Sequence, residues 1–133
     1  MRILIAEDET TSRQLITKML SPYGDCDAVV DGREAVDAFR ISIEENNPYD
    51  LICMDIMMPN VSGQEALIQI RNLEKEKGIR GSDRVKVIMT TALEDQKNVI
   101  DAFYKGGAAA YIVKPIEKKK LIDEMKKLGL IDS

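Results

Sequence analysis

Carboxylate side chains follow two apolar segments of this chain, and a lysine follows a third. Asp55 ends the apolar run at residues 51–54, Glu7 and Asp8 follow the first run, and Lys114 ends the last. A carboxylate at the end of a buried strand is costly unless a partner neutralises it or a reaction uses it. If the runs are neighbouring strands, these groups converge in one crevice. Three carboxylates and one ammonium group then indicate Mg²⁺-dependent chemistry on Asp55.

The predicted chemistry follows from the repulsion between close carboxylates. Two unit charges about 4 Å apart interact by about 4 kcal/mol at an effective dielectric constant of about 20. A divalent cation removes this cost, and Lys114 adds a fixed positive charge. A carboxylate nucleophile facing Mg²⁺ and a lysine suits phosphoryl transfer. Thr91 would add a hydroxyl donor, whereas Thr90 would face away because neighbouring strand side chains alternate.

The composition excludes several classes of function. The chain has 133 residues, 44% hydrophobic and 32% charged, with a net charge of −4, which predicts one soluble globular domain over residues 1–133. The acidic balance argues against nucleic-acid binding. No apolar run could span a membrane and no secretory signal is present, so we expect a cytoplasmic protein. The absence of histidine excludes Ser-His-Asp chemistry and any phosphohistidine on this chain.

Strand-like and helix-like segments alternate along the chain. The predicted strands lie at residues 3–6, 26–30, 51–54, 85–89 and 109–113, and apolar residues at helical spacing follow each of them. The second run carries Asp27 and predicts an edge strand. The fourth helix is predicted from Val99, Ile100 and Phe103. Capping boxes predict three helix starts, at Thr11 with Gln14, Asp31 with Glu34, and Ser62 with Glu65.

Five such units predict an α/β fold: a doubly wound, five-stranded parallel sheet with five helices on its two faces. In such sheets, ligands bind beyond the carboxyl ends of the strands. The unusual polar residues all follow strand ends, so the topology places them at one site. The stretch at residues 74–84 should lie away from that site and serve only as a connection.

The motifs together identify a family resemblance over essentially the whole chain. They are residues 3–9, residues 54–59 with Gly63, Thr91 with Ala92, and residues 113–115. In this order and spacing they resemble the receiver domains of two-component response regulators, in particular the single-domain chemotaxis-regulator type. The resemblance implies a flavodoxin-like sheet with strand order 2-1-3-4-5. It also implies a cis peptide bond between Lys114 and Pro115.

The resemblance also implies a role for each matching residue. Asp55 would be the phosphoacceptor, and Lys114 would contact the phosphoryl group. Mg²⁺, with Mn²⁺ as an alternative, would be bound by Asp8, Asp55, Glu7 and the backbone carbonyl of Met57. Thr91 and Tyr111 would form the switch. Glu7 stands where many family members have aspartate, and apolar residues at Met57 and Leu93 predict slow self-dephosphorylation.

The partners follow from the same resemblance. Because the chain has no histidine, the phosphoryl donor would be a sensor histidine kinase or a histidine phosphotransfer protein. The chain ends just after the fifth predicted helix, so we expect no output domain. The signal would pass to a protein partner at the face of helix four, strand five and helix five, with no nucleic acid or membrane involved. Such a domain is not an enzyme beyond its own phosphorylation and dephosphorylation.

Three alternatives compete with this interpretation. A hydrolase of the haloacid-dehalogenase type also uses a strand-end aspartate, a threonine and a lysine, but it needs a second carboxylate where this chain has Met57. A flavin or nucleotide binder would need a phosphate loop after strand one, where Glu7 and Asp8 would repel phosphate. A receiver-like adaptor that is never phosphorylated would not need the complete acidic pocket.

Overall fold

The computed structural model describes residues 1–92 and 107–132. Five parallel strands form one sheet in the order β2-β1-β3-β4-β5, as predicted. The strands are β1 (Arg2–Ala6), β2 (Asp25–Val29), β3 (Leu51–Asp55), β4 (Lys86–Thr91) and β5 (Ala110–Val113). Because the strands are parallel, their carboxyl ends lie on the same side of the sheet, where the sequence predicts the site.

Four α-helices lie within the described residues. They are α1 (Thr10–Leu20), α2 (Gly32–Glu44), α3 (Gly63–Glu76) and α4 (Lys118–Lys127), with 3₁₀ turns at Ser21–Tyr23 and Gly81–Asp83. Helix α4 corresponds to the fifth predicted helix. The fourth predicted helix, with Val99, Ile100 and Phe103, lies outside the described residues, as does Leu93. None of the helices described in these two segments is long and apolar enough to span a bilayer.

The sheet separates two hydrophobic clusters. Helices α2 and α3 pack on one face, around Phe39 and Ile70, and helices α1 and α4 contribute Ile16 and Leu121 to the other. Residues of β1, β3 and β4 alternate between the two clusters, because successive strand side chains point to opposite faces. These central strands are buried almost throughout, as continuous apolar runs predict.

The two edge strands are less well covered. Strand β2 has only exposed and partly buried residues and pairs with β1 alone, which confirms the predicted edge position. Strand β5 forms the other edge, and its Tyr111 side chain is 46% exposed. The apolar run at residues 109–113 therefore represents a strand with one well-covered face rather than two.

Two of the three predicted capping boxes mark helix starts. The Asp31 carboxylate accepts a hydrogen bond from the Glu34 amide at 2.8 Å, and the Ser62 hydroxyl accepts one from the Glu65 amide at 3.2 Å. The prediction at Thr11 is wrong: a helix capped by Thr11 would begin at Ser12, whereas α1 begins two residues earlier, at Thr10, after Glu9.

Gly63 brings the start of α3 against the end of β3. A Cβ atom at this position would lie 2.2 Å from the Asp55 carbonyl oxygen, so no larger residue fits without a shift. The Gly63 amide also donates to the Ile56 carbonyl at 2.8 Å. The segment that follows Asp55 is thus held as a short loop between β3 and α3.

Candidate functional site

A buried ion-pair network joins the carboxyl ends of three strands. The Lys114 ammonium, just after β5, donates to Glu7 Oε1 at 2.5 Å and to Asp55 Oδ2 at 2.9 Å. Glu7 follows β1 and is fully buried, and Asp55 ends β3 with 6% of its surface exposed. The peptide bond after Lys114 is cis, as the resemblance implies. The predicted convergence of Glu7, Asp55 and Lys114 is therefore observed.

Asp8 completes a cluster of three carboxylates at this edge. Oxygen atoms of Glu7, Asp8 and Asp55 all lie within 4.8 Å of one another, and Asp8 is exposed. With three carboxylates and one ammonium group, the formal charge of this group is −2. We call these four residues, Glu7, Asp8, Asp55 and Lys114, the acidic cluster.

Burial and mutual interactions shift two pKa values in the acidic cluster. Although Asp8 is exposed, the neighbouring groups displace part of the water around its carboxylate. This partial desolvation raises the pKa of Asp8, and the hydrogen bond and negative charge of Glu7 raise it further. Burial alone would lower the pKa of Lys114, but hydrogen bonds to Asp55 and Glu7 outweigh this effect and raise it. Lys114 is therefore held firmly in its charged form.

The buried side chain of Cys53 lies beneath the acidic cluster. Cys53 lies on β3 two residues before Asp55, and its burial, together with the negative charges of Glu7 and Asp55, raises the pKa of its thiol to about 12. The thiol is free and protonated at neutral pH. An apolar floor strengthens electrostatic interactions above it, because no water screens the charges from below.

Backbone groups hold the loop that follows Asp55. The Met57 amide donates to Asp55 Oδ1 at 3.2 Å, and the Ile56 amide donates to the Thr90 carbonyl at 3.0 Å. Met57 itself is 56% exposed beside the carboxylate. Both oxygens of Asp55 are therefore oriented, one by Lys114 and the other by the Met57 amide.

The structure changes the interpretation of the two threonines at the end of β4. In the strand register, Asp55 pairs with Thr90 rather than Thr91. Thr91 is buried, and its hydroxyl donates to the carbonyl of Ala92 at 3.1 Å. The exclusion of Thr90 at the sequence level assumed that Thr91 shares the face of Asp55, and the register does not support that assumption.

Two further residues hold the loops of the site and were not predicted. The Arg13 guanidinium, in α1, donates to the carbonyls of Glu7 and Asp8 at 3.0 and 3.3 Å. The Asn60 side chain donates to Asp31 at 2.7 Å and so connects the loop after Asp55 to the start of α2. A cationic residue near the start of a helix opposes the helix dipole, and this was the available signal for Arg13.

Comparison with known proteins identifies the family. The protein-family model of the response regulator receiver domain matches residues 3–126 of this chain. This chain belongs to the receiver-domain family. It is 32% identical to the chemotaxis protein CheY of Bacillus subtilis over 129 aligned residues, and the alignment covers 95% of each chain. It is also 35% identical over 123 residues to the hybrid signal transduction histidine kinase I of Dictyostelium discoideum, covering 92% of this chain and 7% of that protein.

A solved structure supports the same fold for this receiver domain. It is a co-crystal structure from Saccharomyces cerevisiae of the histidine phosphotransfer protein Ypd1 with the receiver domain of the response regulator Ssk1. The TM-score is 0.81, the identity is 28%, and the alignment covers 98% of this chain and 89% of the other. The chain is therefore a domain of two-component signalling with the flavodoxin-like receiver fold.

The acidic cluster of this receiver domain has the donor set of a hard-cation site. Its ligands are carboxylate oxygens, and the excess negative charge favours a divalent cation over a second ammonium group. Lys114 places an ammonium group on two of these carboxylates, so an anion would meet positive charge from two sides if a cation were also bound there.

Proposed function

We propose that Asp55 accepts a phosphoryl group from the phosphohistidine of another protein in a Mg²⁺-dependent reaction. The observation that carries the proposal is the acidic cluster: an oriented carboxylate, Asp55, with an ammonium group on one oxygen and a net negative charge around it. The Asp55 carboxylate needs no proton removed before it attacks phosphorus. The N–P bond of the donor breaks as the O–P bond forms.

The metal would be bound by oxygen ligands of this receiver domain. Asp8 and Asp55 would bind it directly, with the carbonyl of Met57 and with Glu7, whose oxygen atoms lie within 4.8 Å of those of the other two carboxylates. Mn²⁺ is an alternative because it prefers the same ligands. When bound, the metal neutralises charge on the phosphoryl oxygens. The exposure of Asp8 leaves a route for the ion from solvent.

Lys114 would supply the second positive charge on the phosphoryl group. Its ammonium already contacts Asp55 Oδ2 at 2.9 Å, so a short movement brings it to an oxygen of a phosphoryl group on that carboxylate. Its raised pKa keeps it charged at neutral pH. A fixed positive charge at this place stabilises the charge that develops on the phosphoryl oxygens in the transition state.

The signal would leave the site through Thr91 and Tyr111. Thr91 follows the phosphoryl group, and Tyr111, now 46% exposed at the edge strand, turns inward when Thr91 moves. The downstream protein would bind the face formed by β5, α4 and the predicted fourth helix. To move a two-state switch from 1:99 to 99:1, phosphorylation must supply about 5.5 kcal/mol of differential stabilisation.

The proposed donor is a sensor histidine kinase or a histidine phosphotransfer protein. The absence of histidine from this chain requires that the phosphohistidine belong to another chain. The similarity to the Ssk1 receiver, which was crystallised with a histidine phosphotransfer protein, supports a donor of this class.

Labelling with a small-molecule phosphodonor tests the proposal. Acetyl phosphate with Mg²⁺ should add one phosphoryl group to the protein, measured by intact mass, and Asp55→Asn should abolish the addition. Asp37→Asn is the matched control, because the half-exposed Asp37 side chain on α2 pairs with Arg40 away from the site. Undiminished labelling of Asp55→Asn would refute the assignment. Steady turnover of phosphomonoesters by the unmodified protein would instead favour the hydrolase.

The phosphoryl group on Asp55 should be long-lived. The Met57 side chain, which is 56% exposed beside Asp55, offers no polar group to orient an attacking water molecule. After removal of the donor, we expect most of the label to remain beyond the first minute. Loss of the label within seconds in the absence of a phosphatase would contradict this expectation.

A further inference from the structure

Thr90 carries a buried hydroxyl that has no hydrogen-bond partner within residues 1–92 and 107–132. Only 1% of the residue surface is exposed. An unpaired buried hydroxyl is unfavourable, and valine would fill the same space without that cost. Other buried polar residues at this edge, such as Glu7 and Asp55, have partners. The unpaired hydroxyl of Thr90 therefore needs an explanation.

The strand register places Thr90 beside the acidic cluster. Thr90 pairs with Asp55 on β3 and with Ile112 on β5. Register partners in a parallel sheet project from the same face, as Cys53 and Ile88 do two residues earlier, where both belong to the cluster covered by α1 and α4. Neighbouring strands are about 4.8 Å apart. The Thr90 side chain thus projects from the same face of the sheet as the Asp55 side chain, at the same level on the neighbouring strand.

Before phosphorylation, each carboxylate oxygen of Asp55 already accepts a hydrogen bond. Oδ2 accepts from Lys114, and Oδ1 accepts from the Met57 amide. When a phosphoryl group occupies Oδ1, Lys114 is drawn toward it and away from Oδ2, which becomes the carbonyl oxygen of an acyl phosphate. That oxygen, or the ammonium group in its new position, then needs a partner that the unphosphorylated site does not use.

We propose that Thr90 is a positioning residue whose hydroxyl forms its hydrogen bond with the Asp55–Lys114 pair only when a phosphoryl group is on Asp55. The hydroxyl can donate to the Asp55 carbonyl oxygen or accept from the shifted Lys114 ammonium, and both bonds favour the occupied state. No covalent step involves Thr90. The inference rests on the proposed phosphorylation of Asp55 and deepens it, because it assigns part of the stability of the phosphorylated state to the floor of the site.

Two substitutions separate this role from simple packing. Thr90→Val removes the hydroxyl and keeps the shape, whereas Thr90→Ser keeps the hydroxyl. The probe is beryllofluoride with saturating Mg²⁺, which occupies a carboxylate as a phosphoryl mimic and gives an equilibrium dissociation constant by calorimetry. Loss of one hydrogen bond should weaken binding about five-fold in Thr90→Val. We expect Thr90→Ser to bind like the unmodified protein.

Stability provides the second measurement. Thr90→Val should be at least as stable as the unmodified protein in urea without beryllofluoride, because it loses an unpaired group. Thr17→Val is the matched control: its hydroxyl already donates to the Arg13 carbonyl, and its loss should leave beryllofluoride binding unchanged.

Each outcome decides the inference. Weaker binding in Thr90→Val, rescue by serine and unimpaired stability support it. Equal binding in Thr90→Val, or a loss of stability without beryllofluoride, overturns it while the proposed function stands. If the unmodified protein takes up neither beryllofluoride nor a phosphoryl group, the proposed function falls, and this inference falls with it.

Discussion

Two groups of charged residues, each containing a buried glutamate, lie at opposite ends of the strands, and they are built differently. The acidic cluster lies at the carboxyl ends of the strands and has three carboxylates for one ammonium group. The second group, which we call the arginine cluster, consists of Arg71, Glu74 and Arg84 near the start of β4. It has one carboxylate for two guanidinium groups.

Both carboxylate oxygens of the arginine cluster accept hydrogen bonds from protein donors, whereas the buried Nε atom of Arg71 has no hydrogen-bond partner within the described residues. Glu74 is 1% exposed and accepts from Arg71 at 2.6 Å and from the Val85 amide at 2.8 Å. Arg71 also donates to the carbonyls of Val85 and Gly107, so it connects α3 to the starts of β4 and β5. Burial lowers the pKa of Arg71, and the bond to Glu74 opposes that effect.

The comparison shows how a structural ion pair differs from a functional one. In the arginine cluster, both carboxylate oxygens of Glu74 have protein donors, so nothing further is needed to stabilise the charge. In the acidic cluster, the carboxylates outnumber the protein cations, so the folded protein retains unfavourable repulsion. A ligand that supplies positive charge stabilises such a site, so the stability of the folded protein depends on whether that ligand is bound.

Removing the carboxylate of the arginine cluster should have the largest effect on stability. Glu74→Gln leaves the Arg71 guanidinium buried without a counter-charge, and breaking a buried pair in this way costs about 3 kcal/mol. The free energy of unfolding in urea measures the loss. Labelling of Asp55 by acetyl phosphate should be retained in Glu74→Gln under folding conditions, because the two clusters lie at opposite ends of the strands.

The control for this prediction is Glu76→Gln. Glu76 lies on the same helix two residues later and is exposed, so its substitution should change stability by less than about 0.5 kcal/mol. A loss in Glu74→Gln as small as that of the control would show that the arginine cluster contributes little.

Mg²⁺ should have the next largest effect, and it should act on the acidic cluster alone. At a free concentration about 100 times its dissociation constant, a ligand that binds only the folded state stabilises it by about 2.7 kcal/mol. Thermal unfolding with and without EDTA measures this gain. Asp8→Asn should remove most of it, because Asp8 is the exposed carboxylate of the group.

Glu9→Gln tests whether net charge alone explains the Mg²⁺ response. It removes one negative charge from the neighbouring residue, whose carboxylate accepts from the Ser12 hydroxyl and lies outside the acidic cluster. The Mg²⁺ gain should remain in this variant. An equal loss in Glu9→Gln and Asp8→Asn would mean that the ion acts by screening rather than by binding.

The sequence predicted the acidic cluster better than the arginine cluster, for a physical reason. Strand ends are visible in the pattern of apolar runs, and parallel topology brings them to one edge, so Glu7, Asp55 and Lys114 could be placed together. Glu74 and Arg84 lie in a polar stretch that predicts a connection without further role, and that prediction is wrong. The burial of Glu74 depends on the path of α3 over β4, which no local pattern encodes.

The same limit applies to the finer features of the site. The edge position of β2 and two helix starts follow from periodicity and capping residues, whereas the strand order was implied by the family resemblance. The pairing of Asp55 with Thr90 depends on the register between β3 and β4, and a shift by one residue reverses the faces. Arg13 contacts carbonyl groups rather than side chains, so residue types alone do not reveal its partners.

Without metal, Asp55→Asn should stabilise the protein, in contrast to Glu74→Gln. The substitution removes repulsion with Glu7 and Asp8 but also the attraction to Lys114, which keeps its bond to Glu7. At an effective dielectric constant of about 20 the repulsion is slightly the larger, and the gain is about 1 kcal/mol. Urea unfolding in EDTA measures it. A loss of stability would show that, in the absence of metal, the attraction between Asp55 and Lys114 outweighs the repulsion among the carboxylates.

The smallest predicted effect is a pH dependence of opposite sign at two neighbouring carboxylates. Burial and Glu7 raise the folded-state pKa of Asp8 above its ordinary 3.8, so its contribution to stability grows as pH falls through that pKa and is lost as pH rises. The bond from Ser12 lowers the pKa of Glu9 below 4.5, so its contribution is present above that value and is lost at lower pH.

Two variants, each unfolded in urea with EDTA from about pH 7 to about pH 4, test this difference in sign. Asp8→Asn should be more stable than the unmodified protein at neutral pH, and its advantage should shrink on acidification. Glu9→Gln should be slightly less stable at neutral pH, and its deficit should shrink over the same range. Parallel trends in the two variants would contradict the prediction, because repulsion within the acidic cluster acts on Asp8, whereas Glu9 is stabilised by a local hydrogen bond.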